Sequence, residues 1–310
     1  MITVSVPDNK TADAVGDLGE GARLVVWDPA EEDAPDSERD AITLACLAHR
    51  TGGRTAYGRL GELPNLQGIQ IPSAGYEHAL PFVPEGVALC NARGVHDTRT
   101  AEMALLLALA SQRQLPRFMD AQRRATWEPF ETAPSLADKR VLVVGYGAIG
   151  TGIGARMRAC EAEVEGVARS ARTAPDGTRV HPIDSILGIL PRFDIVVIVT
   201  PHDDSTHKLV NEEFLAAMPD DALLVNVGRG AVVDTDALVL EAEAGRLRAA
   251  LDVVDPEPLP DDHPLYSAPG VILTPHVAGF AQMDDPRYVA LVHRQVESLR
   301  AGDGPVHRVN

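Results

Sequence analysis

Residues 140–150 read Arg-Val-Leu-Val-Val-Gly-Tyr-Gly-Ala-Ile-Gly. Four apolar residues, Val141–Val144, run directly into Gly145, and Gly145, Gly147 and Gly150 set a G-x-G-x-x-G spacing. The apolar run predicts a strand buried on both faces, and Ile149 to about Cys160 predicts a helix. A further strand is expected over Glu163–Ala168. Strand, glycine turn, helix and strand in that order form the context in which this spacing holds a dinucleotide. Gly145 allows the tight turn, Gly147 leaves room for a pyrophosphate, and Gly150 lets the helix pack close to the strand. The helix N-terminus, entered through Ala148 and Ile149, offers N–H groups and the positive end of the helix dipole to phosphates.

The end of the second strand selects the cofactor. An NAD site places a carboxylate there, about 20 residues on, against the ribose 2′-hydroxyl. This chain instead reads Ala168-Arg169-Ser170, with Arg172 nearby. A cation and a hydroxyl at Arg169 and Ser170 suit the 2′-phosphate, so NADP(H) is the expected preference, with NAD(H) as the second possibility.

Apolar runs continue towards the C-terminus at Ile195–Thr200, Leu223–Val227, Ala249–Val253 and Val271–Leu273. Helical stretches such as Asn211–Ala217 and Asp236–Ala244 lie between them. This alternation predicts a doubly wound parallel sheet. The first ninety residues repeat the rhythm on a smaller scale. Strands are expected at Thr3–Val6, Leu24–Trp27, Ile42–Ala45, Ile69–Ile71 and Val87–Cys90, which predicts a smaller α/β domain. A helix is expected over 97–114, with Thr98 as its cap. That helix is apolar nearly all round, which predicts burial in a core or a subunit interface. A last helix, around Arg287–Leu299, is expected to pack back on the first domain.

Composition fits this plan. At ~150 residues per domain, 310 residues make about two domains. A net charge of −17 argues against nucleic-acid and anionic-membrane partners. Cys46, Cys90 and Cys160 are three separated cysteines without a Cys-x-x-Cys, so buried reduced thiols are expected rather than disulfides or a metal site. With no basic-then-apolar leader and no apolar stretch of ~20 residues, a cytoplasmic protein is expected.

Three segments each follow a predicted strand: Asn226-Val-Gly228-Arg229-Gly230, Asp252-Val-Val-Asp255-Pro-Glu257-Pro258 and Thr274-Pro275-His276-Val-Ala-Gly279. Ligands of open α/β sheets sit outside the carboxyl ends of the strands, where all three would lie. Arg229 can hold a carboxylate through paired hydrogen bonds. His276 can give a proton to a carbonyl oxygen or take one from a hydroxyl. Glu257 can fix the tautomer of His276 and raise its basicity.

Together these residues resemble the D-isomer-specific 2-hydroxyacid dehydrogenase family, in the glyoxylate/hydroxypyruvate reductase-like short form. The likeness is carried by Gly145–Gly150, Leu223–Asp234 (LLVNVGRGAVVD), Ala249–Pro258 (AALDVVDPEP) and Val271–Gly279 (VILTPHVAG). Weaker echoes stand in Leu63–His78 and Asn91–Leu109, so the match runs in order from about residue 60 to 280. The resemblance implies a Rossmann-type NAD(P)-binding domain over 96–280. It implies a flavodoxin-like substrate domain built from 1–95 and 281–310, and a homodimer. It makes Arg229, Glu257 and His276 catalytic, and places the substrate carboxylate on Arg229 and the backbone of Ser73, Ala74 and Gly75, beside His276. It adds Thr200, Pro201, Thr206, Val227, Gly228, Arg229, Asp252, His276 and Gly279 to the cofactor contacts, with Asp252 on the nicotinamide carboxamide. The implied reaction reduces a small 2-oxo acid, glyoxylate or hydroxypyruvate first, to the D-2-hydroxy acid.

Two departures and two alternatives accompany that reading. Ala168-Arg169 replaces the acidic strand end of NAD-using members, and Asn310 follows His276 too closely for the regulatory domain of long phosphoglycerate dehydrogenases. Oxidation of a small oxyanion such as phosphite would use the same Arg, Glu and His. A nucleotide-sensing binding protein of the same fold would hold the cofactor without turnover.

Overall fold

A computed structural model describes residues 1–49, 51, 53–129, 134–280 and 282–310. The chain divides into two compact units, Met1–His96 with Ala281–Asn310, and Asp97–Phe280. The boundary residue at 281 itself lies outside the described residues.

The first unit begins β1 (Ile2–Val6), α1 (Asn9–Val15), β2 (Ala22–Val26), β3 (Ile42–Cys46), α2 (Arg54–Gly61), β4 (Gly68–Gln70) and β5 (Ala88–Cys90). Its five strands pair in parallel in the order β2-β1-β3-β4-β5, which is the flavodoxin-like order. Both faces of the sheet are covered, so its strands read as short apolar runs rather than clean alternation. Val4, Val6, Leu44 and Cys46 pack on one side with Val15, and Ile42, Ala45, Ile69 and Leu89 pack on the other with Tyr57 and Leu60.

The second unit opens with α3 (Asp97–Gln112) and α4 (Leu115–Arg123). There follow β6 (Arg140–Val144), α5 (Ala148–Ala159), β7 (Glu163–Ala168), β8 (Arg172–Thr173), β9 (Arg179–Pro182), α6 (Ile186–Ile189) and β10 (Ile195–Ile198). The unit ends α7 (Glu212–Ala217), β11 (Leu223–Asn226), α8 (Thr235–Glu243), β12 (Arg248–Leu251) and β13 (Val271–Leu273). The eight strands run β13-β12-β11-β10-β6-β7-β9-β8, all parallel except the short β8, which pairs antiparallel with β9. Chain order reverses between β6 and β10, which is the topological switch point where such sheets bind ligands. β6, β10 and β11 are buried almost throughout, and one apolar cluster lies on each side of them.

The chain then returns to the first unit as α9 (Pro286–Ala301), whose Tyr288, Leu291, Val292 and Val296 fill the core around β1 and α1. Asp285 caps it, accepting from the Arg287 N–H at 2.9 Å. Gln295 donates from Nε2 to Oε1 of the buried Gln70 at 2.7 Å, tying α9 to β4.

Several local expectations are corrected. Thr98 lies inside the first turn of α3 rather than at its cap, and the helix ends at Gln112 rather than residue 114. α3 is not buried all round: Thr100, Ala101, Ala104, Leu107 and Ala108 are, but Leu106 is 53% exposed. Cys46 and Cys90 are buried, whereas Cys160 is only half-buried. Burial pushes the Cys46 thiol up to about 12 and the Cys90 thiol up to about 11.

Candidate active site

The glycine-rich turn is made by sterics. Gly145 has φ +104°, and a Cβ there would stand 2.8 Å from the Val199 carbonyl. A Cβ on Gly150 would stand 2.3 Å from the Gly145 oxygen, so α5 lies against the turn as closely as glycine permits. Gly147 differs, because a Cβ there would meet nothing within 4 Å. It is the N-cap of α5 and no side chain caps the helix. The open space at Gly147 and the uncapped first turn through Ala148, Ile149 and Gly150 fit a pyrophosphate. Thr200, just beyond β10, has a buried hydroxyl without a hydrogen-bond partner among the described residues. That orphaned group faces the same need for a polar ligand. Pro201 accepts from the Thr206 hydroxyl at 2.9 Å, so Thr206 shapes the loop after β10.

Beyond β7, Arg169 and Ser170 are exposed, and Arg169 makes no hydrogen bond or ion pair with the described residues. Arg172 instead donates from its guanidinium to the Tyr146 carbonyl at 2.6 Å.

The three chemical segments leave adjacent strands, β11, β12 and β13, on the same side of the sheet. Asn226, fully buried at the end of β11, folds the first of them. Its Oδ1 accepts from the Gly228 N–H at 3.0 Å and its Nδ2 donates to the Arg229 carbonyl at 3.0 Å. The half-buried Arg229 guanidinium donates to the Gly228 carbonyl at 2.8 Å. Val227, beside them, is buried and donates to the Ile198 carbonyl at 3.1 Å.

His276 donates from Nδ1 to Glu257 Oε1 at 2.8 Å, and both side chains stay partly exposed, at 47% and 39%. This bond fixes the tautomer and leaves Nε2 without a partner among the described residues, turned to exchange a proton with a ligand. His276 itself sits at φ +53°, outside the usual region for a non-glycine residue. Asp252 accounts for that conformation. Its carboxylate, 1% exposed, accepts from the Thr274 hydroxyl at 2.5 Å, the Val277 N–H at 3.0 Å and the Ala278 N–H at 2.8 Å. Its carbonyl accepts from the His276 N–H at 2.8 Å. The 274–278 segment, which runs into the half-buried Gly279, is thus wrapped around one buried acid.

In the first unit, Ser73 donates from its hydroxyl to the Gly75 carbonyl at 2.6 Å, and Asn91 donates to the Ala74 carbonyl at 2.7 Å. No described residue accepts from the N–H groups of Ser73, Ala74 or Gly75, which leaves three consecutive donors for an anion. The buried His96 donates from Nε2 to the Pro72 carbonyl and pins the start of this loop. Asn226 and His96 had no role in the sequence reading. A polar residue ending an otherwise apolar strand was the available signal for Asn226.

Comparisons with known proteins show the family. The model of the D-isomer specific 2-hydroxyacid dehydrogenase NAD-binding domain matches residues 104–278. A glyoxylate reductase of Thermofilum pendens is 31% identical over 298 residues, covering 92% of this chain and 86% of its own. The structure of the NADPH-dependent glyoxylate/hydroxypyruvate reductase of Sinorhizobium meliloti with citrate is 26% identical, with TM-score 0.78 over 99% of this chain and 97% of its own. A D-isomer specific 2-hydroxyacid dehydrogenase of Xanthobacter autotrophicus, solved with NADPH and MES, shares the fold at TM-score 0.81 and 24% identity over 99% of this chain and 98% of its own. The chain belongs to the D-isomer-specific 2-hydroxyacid dehydrogenases, a family of NAD(P)-dependent oxidoreductases that act on CH–OH groups.

Proposed function

We propose that the protein reduces a small 2-oxo acid of the glyoxylate/hydroxypyruvate type to its D-2-hydroxy acid, preferring NADP(H). The observation that carries the reading is the His276–Glu257 pair at 2.8 Å, whose residues follow β13 and β12 beside the β11 end that carries Arg229, with Nε2 left open.

Gly145, Gly147, Ala148, Ile149 and Gly150 would hold the cofactor pyrophosphate, Arg169 and Ser170 its 2′-phosphate, and Thr200, Asp252 and Gly279 the nicotinamide end. A bound nicotinamide supplies the hydride taken up by the carbonyl carbon. Arg229 would hold the substrate carboxylate, so the carbonyl is oriented before reaction. His276 Nε2–H protonates the carbonyl oxygen as charge develops on it. Glu257 accepts from Nδ1–H and stabilises the imidazolium that makes His276 an acid. In this reading 1–95 with 281–310 serve the substrate and 96–280 the cofactor.

The reading also makes the enzyme a cytoplasmic homodimer. Leu106, Leu115, Met119 and Trp127 on and after α3 and α4 expose apolar side chains that a second copy would cover.

The test is loss of absorbance at 340 nm with NADPH or NADH against glyoxylate, hydroxypyruvate, pyruvate and longer 2-oxo acids. Fast turnover of a small acid with NADPH is expected. His276→Ala should lose about 10²- to 10⁴-fold in kcat while the Kd for NADPH holds. Near-wild-type turnover of that variant would remove His276 from the chemistry, and a higher kcat/KM with NADH would overturn the cofactor preference.

A further inference from the structure

Tyr146 is the second residue of the glycine-rich turn, yet it does not face the ligand side. Its side chain is 1% exposed and lies between α5 and β7. Two glycines make its slot. A Cβ on Gly154 in α5 would stand 2.4 Å from the Tyr146 hydroxyl oxygen, and one on Gly166 in β7 would stand 2.6 Å from its ring. The hydroxyl at the far end of the slot donates to Asp176 Oδ2 at 2.9 Å and lies 2.9 Å from the Thr178 hydroxyl. Arg158, from α5, donates to Asp176 at 2.6 Å and to Thr178 Oγ1 at 2.8 Å, closing the group from the helix side. Burial acts to raise the Asp176 carboxyl, but the bonds from Thr178, Tyr146 and Arg158 outweigh it and hold it down at about 2.

The same residue is used at its other end. The Tyr146 carbonyl accepts from Arg172. Residues 172 and 176–178 belong to the β8–β9 hairpin, and Arg169 and Ser170 lead into it from β7. Tyr146 therefore ties the hairpin at two points, to the turn through Arg172 and to the slot through Asp176 and Thr178. β8 has only two residues, both exposed, and contributes little apolar burial of its own. Ala174 and Val180 pack the β9 side of the hairpin into the core, and the polar ties hold the exposed β8 side.

We propose that Tyr146 is a positioning residue for cofactor choice, which by anchoring the β8–β9 hairpin from the glycine-rich turn sets how firmly the chain holds the 2′-phosphate of NADP(H). The proposal rests on the NADP(H) preference above. Without the anchor, Arg169 and Ser170 must be ordered at the moment of binding, and the contact they make weakens by that cost. The bond from Arg172 to the turn is made to the Tyr146 backbone carbonyl, so loss of the hydroxyl leaves the turn in place and NAD(H) binding with it.

Tyr146→Phe keeps the ring in its slot and removes only the hydroxyl. Cofactor titration by reduced-nicotinamide fluorescence, without substrate, should show the Kd for NADPH rising about tenfold, as for loss of a hydrogen bond to a charged group. The Kd for NADH should stay within about twofold, and kcat at saturating cofactor should hold, since no group at the reacting end is touched. Asp176→Asn, on the partly exposed side of the cluster, should repeat the selective loss and serves if Tyr146→Phe does not fold. Equal weakening of both cofactors would make Tyr146 a structural residue of the turn and overturn the proposal, as would no weakening of either. A wild-type protein that binds NADH more tightly than NADPH would remove the preference on which the proposal stands, and that result comes before any variant is made.

Discussion

Replacing Asp252 by asparagine changes one oxygen to an amide nitrogen, a donor, in a site whose three partners all donate to it. The carboxylate accepts three hydrogen bonds, from the Thr274 hydroxyl and the Val277 N–H on one oxygen and from the Ala278 N–H on the other. In one orientation the new amide group faces the Ala278 N–H, and in the other it faces the Val277 N–H. Either way one buried backbone N–H loses its acceptor and meets a second donor. The lost charge-assisted bond is worth about 1.5–3 kcal/mol, and the surviving bonds weaken as the acceptor becomes neutral. Relief from burying a charge offsets part of this. A net loss of about 2 kcal/mol is expected, which for a unit of this size lowers Tm by roughly 4–8 °C. Because the three donors belong to the segment carrying His276, kcat should fall with it, and amide exchange should quicken at 277 and 278. Calorimetry, steady-state kinetics and hydrogen exchange on the one variant test this together. An unchanged Tm, with exchange at 277 and 278 unaltered, would show that Asp252 is not the anchor of the His276 segment, whatever it does for the nicotinamide.

Other consequences follow from the same geometry. Gly230→Ala places a Cβ 1.8 Å from the Val254 oxygen and 2.1 Å from its carbon, both backbone atoms that have no rotamer to retreat into. The cost should reach about 3 kcal/mol or more, read as a lower Tm or as loss of soluble protein. Glu257→Gln keeps an acceptor for His276 Nδ1 but removes the charge that stabilises the imidazolium. It should lower kcat by at least about tenfold with the cofactor Kd unchanged. Asp176, held at about 2, titrates below its ordinary value, so its contribution to stability is fully present above about pH 5 and is lost as pH falls through about 2. Chemical denaturation of the wild type and of Asp176→Asn should therefore give a gap that is constant above about pH 5 and closes towards about pH 2.

The parts of this molecule that the sequence announces are those whose cause is local. Val141–Val144 ends in Gly145 both as a string of residues and as a strand, because burial on both faces demands a continuous apolar run. The strands leading to Arg229, Glu257 and His276 are marked in the same way, and parallel pairing then carries all three segments to one edge. α4 gave no such signal. It was not among the expected elements, and only Ala121 is buried in it. β8 is two exposed residues, Arg172 and Thr173, paired with β9, and no periodicity can be read from two positions.

The site divides along the same line. Residue types that do chemistry are visible because they interrupt apolar strand ends. What holds them in place is written in contacts between distant segments. Tyr146 fills a variable position of its motif, and its burial depends on Gly154, Gly166 and Asp176, none of them part of the spacing that reveals the turn. Asp252 reads from the chain as one more acid beside a cofactor, yet its hydrogen bonds run to residues 274–278, over twenty positions on. These anchors share a form: a buried polar side chain satisfied by groups from a segment distant in sequence. Such groups are costly to bury unless every partner is in place. A single anchor therefore holds its loop in one conformation rather than several. The His276 ring is held by Glu257 from one side and by the wrapped 274–278 backbone from the other, so under the proposed function its Nε2 would be aimed before any substrate arrives.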